Sequence, residues 1–450
     1  MVEKGKNKEL IIMVDSCLIR DLPKHIDKEV TIKGWIGFSR KQGSLTFYVI
    51  RDSSGFIQCV LKKNVFEDKD KIDAIKELPR ETLVKIKGKV RSDERAPYFG
   101  VEIQILALHV LGTSSTDIES EYRHDSTPQV LLDKRHLAMR AEGISTILRM
   151  RGHVLSELRA FFDQEEFVEV TPPTLVQTQV EGGSTLFPLK YFEEEAYLTQ
   201  SSQLYLETAI FSLGNVFCCL PSFRAEKSRT RRHLTEFTHF EAEMAFFDYE
   251  DNMSFQERMI RYTVDQITTK YPEVIEKYHP GLKSPDKPYL RLDYADMIDK
   301  LNEWGIAKEE GTGEWVFGDD VTEKPERALI DKIGVPTFIT RFPRKMKPFY
   351  VKIDPNDPER TLSSDLIVPG LGEIIGGSQR EDDYETLLNG FKHEGLDIKP
   401  YQWYLDLRKY GSVVHSGFGL GIERLVQYVM NVEHIRDTCL YPRMLNRIYP

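Results

Sequence analysis

Apolar and polar positions alternate through five short segments in the first quarter of the chain. The segments read VTIKGWIGF, SLTFYVIRD, FIQCVLKK, ETLVKIKGKV and VEIQILALHVLG, and turn-forming residues stand between them. An alternation with a period of two is typical of strands that bury one face and expose the other. The pattern therefore predicts five strands between Glu29 and Leu111, with one helical segment over residues 65–77.

A helical period begins after a polar stretch, over residues 141–164. The apolar positions at helical spacing are Ile144, Ile147, Leu148, Val154, Leu155, Leu158, Phe161 and Phe162. This spacing predicts one long helix with a buried face. Strands and helices then follow without the strict alternation of a parallel sheet, which favours an α+β domain on an antiparallel β-sheet flanked by helices.

These patterns divide the chain into two domains. We expect a short leader over residues 1–20, a five-stranded OB-type β-barrel domain over 21–112 and a polar linker over 113–133. The larger α+β domain is expected over 134–450. Within it, a stretch of about residues 280–345 is rich in Pro, Asp, Glu and Gly. We predict an insertion or a surface subdomain there, to which the sequence assigns no role.

The net charge of −10 does not indicate that the whole chain binds nucleic acid. Residues 1–110 nevertheless carry 21 lysines and arginines against 16 aspartates and glutamates, which fits RNA binding by the barrel or an uneven surface charge without function. No apolar run approaches the ~20 residues that span a membrane. The five cysteines are scattered and lack metal-binding spacing, as in proteins with reduced thiols. We therefore expect a cytoplasmic protein without a membrane segment.

A dense cluster of basic residues lies between two predicted strands, Asn215–Ser222 and Phe237–Phe246. The cluster reads FRAEKSRTRRHLTEF over Phe223–Phe237. Arginine suits polyphosphates because its planar guanidinium donates paired hydrogen bonds and keeps its charge near neutral pH. A charged loop between two strands indicates a hairpin tip held over a site.

A second segment, GFGLGIER, spans Gly417–Arg424. Its glycines permit close approach of a ligand, and Arg424 stands at the start of a predicted helix, Glu423–Met430, whose N-terminus favours anions. From the residues alone, the glycines could instead form only a tight turn packed against the sheet. Taken with the basic cluster, the segment indicates the second half of one ATP site.

In this order and spacing, the two segments resemble motifs 2 and 3 of the class II aminoacyl-tRNA synthetases. The segment FFDQEEFVEVTPP, over Phe161–Pro173, resembles motif 1, the dimer element of the same class. The resemblance extends from about residue 25 to the C-terminus and is closest to the asparaginyl-tRNA synthetases, with the aspartyl enzymes as near relatives. It implies a homodimeric ligase that uses ATP and Mg²⁺ to activate L-asparagine and then charges tRNA(Asn).

The resemblance also implies roles for individual residues toward ATP. Arg224 would bind the α-phosphate and the substrate carboxylate, and Arg424 would clamp the other side of the triphosphate. Glu226 would accept a hydrogen bond from the adenine amine, and Phe237 would stack on the ring. Arg232 and His233 would hold the distal phosphates. The full ATP-binding set is Arg224, Glu226, Arg232, His233, Phe237, Glu373, Gly421 and Arg424.

The segment SSDLIVPGLGEIIGGSQRE supplies Asp365 and Glu373 among apolar strand residues. Buried carboxylates need partners, and hard oxygen ligands suit Mg²⁺. Glu373 matches the principal metal ligand of the resembling family, and Asp365 is a second candidate. The chain departs from many aspartyl enzymes at Gly376, where those enzymes carry a serine that can join the metal shell.

The segment LTQSSQLYLET resembles the substrate-binding region of the aspartyl and asparaginyl enzymes. A carboxamide needs one donor for its oxygen and one acceptor for its NH₂ group. By resemblance, Glu207 would be the acceptor and Arg380 the donor, while Gln203 and Glu181 would orient the α-ammonium and α-carboxylate groups. Aspartyl enzymes carry a lysine where Leu206 stands, so this chain lacks the cation that a substrate carboxylate would require.

Phe47 and Gln58 lie on neighbouring predicted strands of the barrel. An aromatic ring that stacks on an unpaired base, beside an amide that binds the base edge, is one way in which proteins read single-stranded RNA. From the residues alone, Phe47 could equally face the barrel interior. By resemblance, Phe47, Gln58 and Glu102 would surround the central anticodon base.

Three alternatives to an asparaginyl-tRNA synthetase remain at this point. One is an aspartyl-tRNA synthetase, including a form that accepts both tRNAs. Another is an asparagine synthetase on the same catalytic fold, against which the barrel argues. The third is a non-catalytic tRNA-binding paralogue, against which the complete motifs argue.

Overall fold

The computed structural model describes residues 16–62, 74–123, 125–180, 185–227, 230–309 and 312–450. The chain folds as two compact units, 1–145 and 146–450. The predicted α+β class is confirmed, since a five-stranded barrel in the first unit precedes a large mixed sheet flanked by helices in the second. Among the described residues, no helix combines the length and apolar character needed to cross a membrane.

The first unit contains a closed barrel with strand order β1-β2-β3-β5-β4. A 3₁₀ helix over Ile19–His25 precedes it and overlaps the end of the predicted leader. The strand bounds are Glu29–Gln42 (β1), Leu45–Arg51 (β2), Phe56–Lys62 (β3), Leu83–Ser92 (β4) and Val101–Gly112 (β5). Most of the helix predicted over 65–77 lies outside the described residues.

Alternation along these strands fills the barrel with aliphatic side chains. On β2, for example, Thr46, Tyr48 and Ile50 point inward, and Phe47 and Val49 lie on the outer face. Two short helices follow the barrel, α1 (Pro128–Asp133) and α2 (Arg135–Ala138), so part of the predicted linker is helical.

The second unit is built on an eight-stranded sheet with order β12-β13-β16-β17-β18-β11-β10-β6. Its strands are Val168–Glu169 (β6), Val216–Phe223 (β10), Glu236–Ala245 (β11), Leu290–Asp293 (β12), Thr337–Thr340 (β13), Ser363–Val368 (β16), Gly372–Gln379 (β17) and His415–Gly421 (β18). Two smaller sheets hold Leu175–Val176 (β7), Phe187–Tyr191 (β8), Glu194–Leu198 (β9), Ile353–Asp354 (β14) and Asp357–Thr361 (β15).

The helices associated with this unit are α3 (Glu142–Gln164), α4 (Gln203–Leu213), α5 (Tyr249–Lys270), α6 (Pro272–Tyr278), α7 (Tyr294–Glu303), α8 (Glu323–Ile333), α9 (Tyr384–His393), α10 (Gln402–Lys409) and α11 (Ile422–Met430). Short 3₁₀ turns occur at Ile118–Ser120, Arg344–Met346, Lys399–Tyr401 and Ile435–Thr438. The helices predicted over 141–164 and Glu423–Met430 therefore agree with α3 and α11 to within one residue.

The main core lies between the sheet and helices α3 and α5. Phe162 on α3 is fully buried, and its ring centroid lies 4.8 Å from that of Phe167, 4.7 Å from Phe217 and 5.0 Å from Phe240. The neighbouring Val154 and Leu158 are also fully buried, as the helical spacing predicts. This packing fixes the sheet whose opposite face carries the polar residues described below.

The segment predicted as an insertion is integrated into the sheet. It contributes β12 and β13 at one sheet edge, together with helices α7 and α8. These elements bury a separate apolar cluster that includes Tyr294, Leu301 and Leu329. The polar composition that suggested an insertion or a surface subdomain comes from the exposed faces of these elements and from the connections between them.

Replacing Phe162 with alanine tests the main core. We expect Phe162→Ala to lower the free energy of unfolding by about 3–5 kcal/mol, because it removes a ring that packs against several others. Phe192→Ala is the matched control, since the ring of Phe192 is 80% exposed. Chemical denaturation followed by circular dichroism measures both, and equal midpoints for the two variants would contradict this account of the core.

Candidate active site

The predicted hairpin is formed by β10 and β11, which pair antiparallel from Val216–Glu243 to Phe223–Glu236. The basic cluster occupies the connection between them, of which residues 228 and 229 are outside the described residues. The hairpin is anchored by Glu423, whose carboxylate accepts the backbone N–H of Thr238 and pairs with Arg151. The charged loop therefore extends from a fixed strand pair.

One cavity of about 960 Å³ lies on the polar face of the sheet. Most of the residues that the sequence singled out for substrate binding line it: Gln203, Arg224, Glu226, Arg232, His233, Phe237, Asp365, Glu373, Arg380, Gly421 and Arg424. Glu207 does not line it, and Glu181 lies outside the described residues. The structure thus brings the two predicted halves of the ATP site into one chamber.

The glycines of GFGLGIER lie in strand β18, so they do not form a tight turn. A Cβ on Gly417 would stand 2.1 Å from an oxygen of Glu243, and one on Gly419 would stand 2.2 Å from Nε2 of His239. Both neighbours project from β11 across the face of β18. These two glycines therefore make room for side chains that line the cavity.

Arg424 lies in the first turn of α11, as predicted. Its Nη1 donates to the backbone oxygen of Glu373 and lies 3.1 Å from the Glu373 carboxylate. Burial opposes ionisation of Glu373, but Arg424, Arg232 and Lys347 together hold its pKa down at about 2. Glu373 is therefore an ionised carboxylate among cations, a charge pattern suited to a metal–polyphosphate complex.

Asp365 and Glu373 converge on Gly376. A Cβ on Gly376 would stand 3.5 Å from an oxygen of each carboxylate, so the glycine leaves open space beside both. Within the part of the chain that the structure describes, no group of three or more His, Cys, Asp or Glu side chains is arranged to hold a metal. Two carboxylates suit Mg²⁺, which usually keeps waters and phosphate oxygens as its other ligands.

His233 lies next to the arginines of the loop. Its Nδ1 contacts the hydroxyl of Thr230, and its Nε2 lies 3.6 Å from the carboxylate of Glu226. Burial, and then the charges of Arg424 and Arg232, lower the pKa of His233 to about 4. The ring is therefore neutral near pH 7, and it can donate a hydrogen bond to a phosphate without adding charge.

Glu207 is fully buried beneath the cavity, in contrast to the predicted contact with substrate. One oxygen accepts from Nε2 of Gln203, and the other lies 2.7 Å from both Arg408 Nη2 and the Tyr404 hydroxyl and 3.0 Å from His415 Nε2. Although burial opposes it, Arg408 and His415 hold the pKa of Glu207 well below its usual value. Glu207 is thus a structural anion whose acceptor positions are already used.

Glu243 and Arg380 form a buried ion pair at the wall of the cavity. Both line the cavity, and Nε of Arg380 donates to Glu243 Oε1 at 3.0 Å while Nη1 donates to Ser378 at 2.7 Å. Burial raises the pKa of Glu243 to about 7, against the lowering effect of Arg380. Sequence reasoning missed Glu243, although His239, Glu241 and Glu243 alternate along one strand, a signal of a polar strand face.

A second cavity, of about 550 Å³, lies on the outer face of the barrel. Phe47, Gln58 and Glu102, the three residues that the sequence analysis named in the barrel, line it together, and Gln58 Nε2 donates to Glu102 at 3.2 Å. Phe38 lines the same cavity and was not predicted to. A register shift in β1 between Ile36 and Phe38 turns the latter outward.

The low pKa of His233 predicts a pH dependence of stability. Between about pH 4 and 6.5 the unfolded chain binds a proton that the folded chain does not. The free energy of unfolding should therefore rise with pH across this window, by about 2 kcal/mol from this residue after allowance for its partial exposure. His233→Gln should flatten that rise in denaturation measured at several pH values.

The matched control for this experiment is His109→Gln, which changes an exposed histidine of the barrel. An equal pH dependence for the wild type and His233→Gln would contradict the assignment of a neutral His233.

Comparisons with known proteins agree with this geometry. The family described as tRNA synthetases class II (D, K and N) matches residues 127–445, and the OB-fold nucleic acid binding domain matches residues 30–111. An asparagine–tRNA ligase of Pyrococcus abyssi is 44% identical over 443 residues, covering 97% of this chain and all of that protein. The cytoplasmic asparagine–tRNA ligase of Saccharomyces cerevisiae is 44% identical, covering 96% of this chain and 78% of that protein.

A solved structure gives the same result. The asparaginyl-tRNA synthetase from Pyrococcus horikoshii, complexed with asparaginyl-adenylate, superimposes with a TM-score of 0.89 at 43% sequence identity, covering 97% of this chain and 100% of that one. Near-complete coverage at this identity extends over the barrel and the sheet, and it favours asparaginyl over aspartyl relatives. The chain belongs to the asparaginyl-tRNA synthetases, class II aminoacyl-tRNA synthetases that act as asparagine–tRNA ligases.

Proposed function

We propose that the large cavity binds L-asparagine and ATP together, forms asparaginyl-adenylate and then passes asparagine to the 3′ end of tRNA(Asn). The observation that carries this proposal is the joining, in one chamber, of a cationic cluster around Glu373 and a buried arginine–glutamate pair, Arg380–Glu243. The first group suits a triphosphate with its metal, and the second suits a carboxamide.

In the activation step, an oxygen of the asparagine α-carboxylate attacks the α-phosphorus of ATP. The bond from that phosphorus to the bridging oxygen breaks, and pyrophosphate leaves. The protein contributes geometry and charge, because the substrates themselves supply nucleophile and leaving group. In the second step a hydroxyl of the terminal ribose of the tRNA attacks the acyl carbon, and AMP leaves.

We assign the ATP contacts to residues that line the cavity. We place Arg224 at the reacting phosphate and Phe237 against the adenine ring. The guanidinium of Arg224 lies 5.5 Å from the ring centroid of Phe237. Arg424 takes the opposite side of the triphosphate. Arg232 and His233 hold the distal phosphates, and Glu226 accepts from the adenine amine. Their convergence on one cavity supports these assignments, which the resemblance implied from sequence.

Asp365 and Glu373 would hold Mg²⁺ when ATP is bound. When bound, the ion would supply positive charge that stabilises the triphosphate. Lys347 Nζ lies 2.9 Å from Asp365, and Arg424 lies 3.1 Å from Glu373, so each carboxylate already has a cationic partner. We expect these two cations to move toward the phosphates as the metal binds, and the Mg²⁺ dependence of pyrophosphate exchange in Asp365→Asn and Glu373→Gln tests the assignment.

The side-chain amide of asparagine is assigned to Arg380 and Glu243. Arg380 donates to the amide oxygen, and Glu243 accepts from the NH₂ group. An aspartate side chain would instead bring a second carboxylate against Glu243, which burial already makes costly to ionise. Glu207 lies behind this pair and fixes Gln203, which faces the cavity, so we assign it a positioning role in place of the predicted contact.

The barrel is assigned to the anticodon of tRNA(Asn). Across its outer face, Phe38, Val49, Gln58 and Glu102 form one row through pairing of four strands. Phe47 lies in the adjoining row, and the guanidinium of Arg40 lies 4.7 Å from its ring centroid. Aromatic rings beside a paired amide and carboxylate suit an unstacked base that is read at its edge.

We also propose a homodimer in the cytoplasm. The short strand of the motif 1 segment exposes the apolar side chain of Val168, and Leu175 follows it on the surface. Sedimentation at micromolar concentration tests the dimer, and a monomer would reject it.

The cytoplasmic name of the yeast relative supports the proposed cytoplasmic location, which cell fractionation would check.

The amide assignment predicts different effects at the two glutamates. Glu243→Gln should lower kcat/KM for asparagine in ATP–pyrophosphate exchange, because it leaves Arg380 without its charged partner. The decrease should correspond to a loss of about 2–3 kcal/mol of transition-state stabilisation. The KM for ATP should change little. Glu207→Gln should mainly lower the melting temperature, since it removes the anion shared by Arg408 and His415. If Glu207→Gln relaxed the preference for asparagine over aspartate and Glu243→Gln did not, the original assignment of Glu207 would be right.

The anticodon assignment predicts a loss confined to tRNA. Phe47→Ala should lower kcat/KM for tRNA(Asn) in aminoacylation. The decrease should correspond to a loss of about 1–3 kcal/mol of binding free energy, the usual contribution of one stacked base. Exchange without tRNA should be unchanged. Trp35→Ala is the matched control, because Trp35 is an exposed aromatic residue of β1 that lies outside the cavity. Equal losses in both variants would contradict the assignment.

A further inference from the structure

Arg232 pairs with two acidic residues of helix α8, which lies in the segment to which the sequence assigned no role. Its Nη1 donates to Glu326 Oε1 at 2.9 Å, and its Nε lies 3.6 Å from Glu323 Oε2. Both acids lie in the first turn of the helix. The side chains of Arg232 and Glu326 are only 11% and 14% exposed, so solvent screens their attraction weakly.

The same oxygen of Glu326 also reaches the strand that carries the candidate metal ligand. It accepts the backbone N–H of Glu373 at 3.3 Å. The residue before it, Gly372, has a φ of +109°, and a Cβ there would stand 2.6 Å from Arg232 Nη1 and 2.9 Å from Glu326 Oε1. Glycine is therefore required on both conformational and steric grounds where the three elements meet.

Arg232 and Glu373 both line the cavity, and Glu326 does not. We propose that Glu326 is a positioning residue for the activation step, which holds Arg232 toward the distal phosphates of ATP and keeps it from collapsing onto the carboxylate of Glu373. This proposal rests on the proposed function, in which Arg232 binds those phosphates and Glu373 holds the metal.

The physical reason is a competition between two acids for one guanidinium. Glu326 Oε1 lies 2.9 Å from Arg232 Nη1, and the charge of Glu373 also attracts this guanidinium. If Glu326 loses its charge, it no longer opposes the attraction of Arg232 toward Glu373. Arg232 would then neutralise the carboxylate that Mg²⁺ needs, and the distal phosphates would lose a cation.

The test is ATP–pyrophosphate exchange by the full chain carrying Glu326→Gln, with ATP and asparagine varied separately. We expect kcat/KM for ATP to fall by about 10- to 100-fold, as is usual for residues that orient a direct ligand. The KM for asparagine should stay within about twofold of wild type, since Arg380 and Glu243 do not touch Glu326. Raising Mg²⁺ should recover part of the loss.

Asp331→Asn is the matched control. Asp331 lies on the same helix and accepts the backbone N–H of Gly370 at 2.6 Å, so it also ties α8 to the turn before β17 without contacting Arg232. We expect this variant to retain wild-type kcat/KM for ATP. An equal loss in Asp331→Asn, or a parallel rise in the KM for asparagine in Glu326→Gln, would show a general distortion and overturn the proposal.

A double variant decides whether Glu326 acts through Arg232. Arg232→Ala should itself lower kcat/KM for ATP, and adding Glu326→Gln should cause little further loss. Additive losses would overturn the proposal, as would wild-type kinetics in Glu326→Gln. If Arg232→Ala had no effect, the phosphate role assigned to Arg232 would fail, and absence of exchange by the wild type would reject the proposed function itself.

Discussion

Buried arginine–glutamate pairs organise one face of the eight-stranded sheet, and the other residues of the site are arranged around them. The Arg380–Glu243 and Arg408–Glu207 pairs have side chains that are at most 5% exposed. An ion removed from water is costly unless it is paired and hydrogen-bonded. Each acid therefore fixes the position of its partner, and the face is organised before substrate arrives. Gly417 and Gly419 follow from the same constraint, since a side chain at either position would occupy the space of Glu243 or His239.

The same charge pattern separates two tasks within one cavity. Around Glu373, the charges of Arg424, Arg232 and Lys347 overcome the effect of burial and keep the Glu373 carboxylate ionised, which suits a metal and a triphosphate. Around Glu243, burial dominates and makes a negative charge harder to hold, which suits a neutral carboxamide and disfavours a carboxylate. Discrimination between asparagine and aspartate thus requires no separate editing reaction in this account, because a buried polar site already penalises an unmatched group strongly.

Much of this arrangement could be predicted from local sequence. Alternation located the five strands of the barrel, helical spacing located α3, and the arginine cluster and the glycine segment indicated the two sides of the ATP site. The errors arose where a contact depends on distant residues. Glu207 and Glu243 are both acidic residues in apolar surroundings, and only the packing of α4 beneath the sheet shows which one reaches the cavity. Phe38 depends on a register shift in β1, and Glu326 depends on how residues 280–345 join the sheet edge. The register shift and the joining of the sheet edge leave no periodic signal, whereas Glu243 is signalled by the alternation of His239, Glu241 and Glu243 along β11.

Substrate choice by the cavity is tested most simply by ATP–pyrophosphate exchange with the purified wild-type protein, with Mg²⁺ and each of the twenty amino acids in turn, without tRNA. The account predicts exchange with asparagine and none above background with aspartate, because the Arg380–Glu243 pair complements an amide and repels a second carboxylate. Exchange with aspartate at a comparable rate would contradict the account of specificity while leaving the ATP site intact. Absence of exchange with every amino acid would contradict the activation chemistry assigned to the cavity.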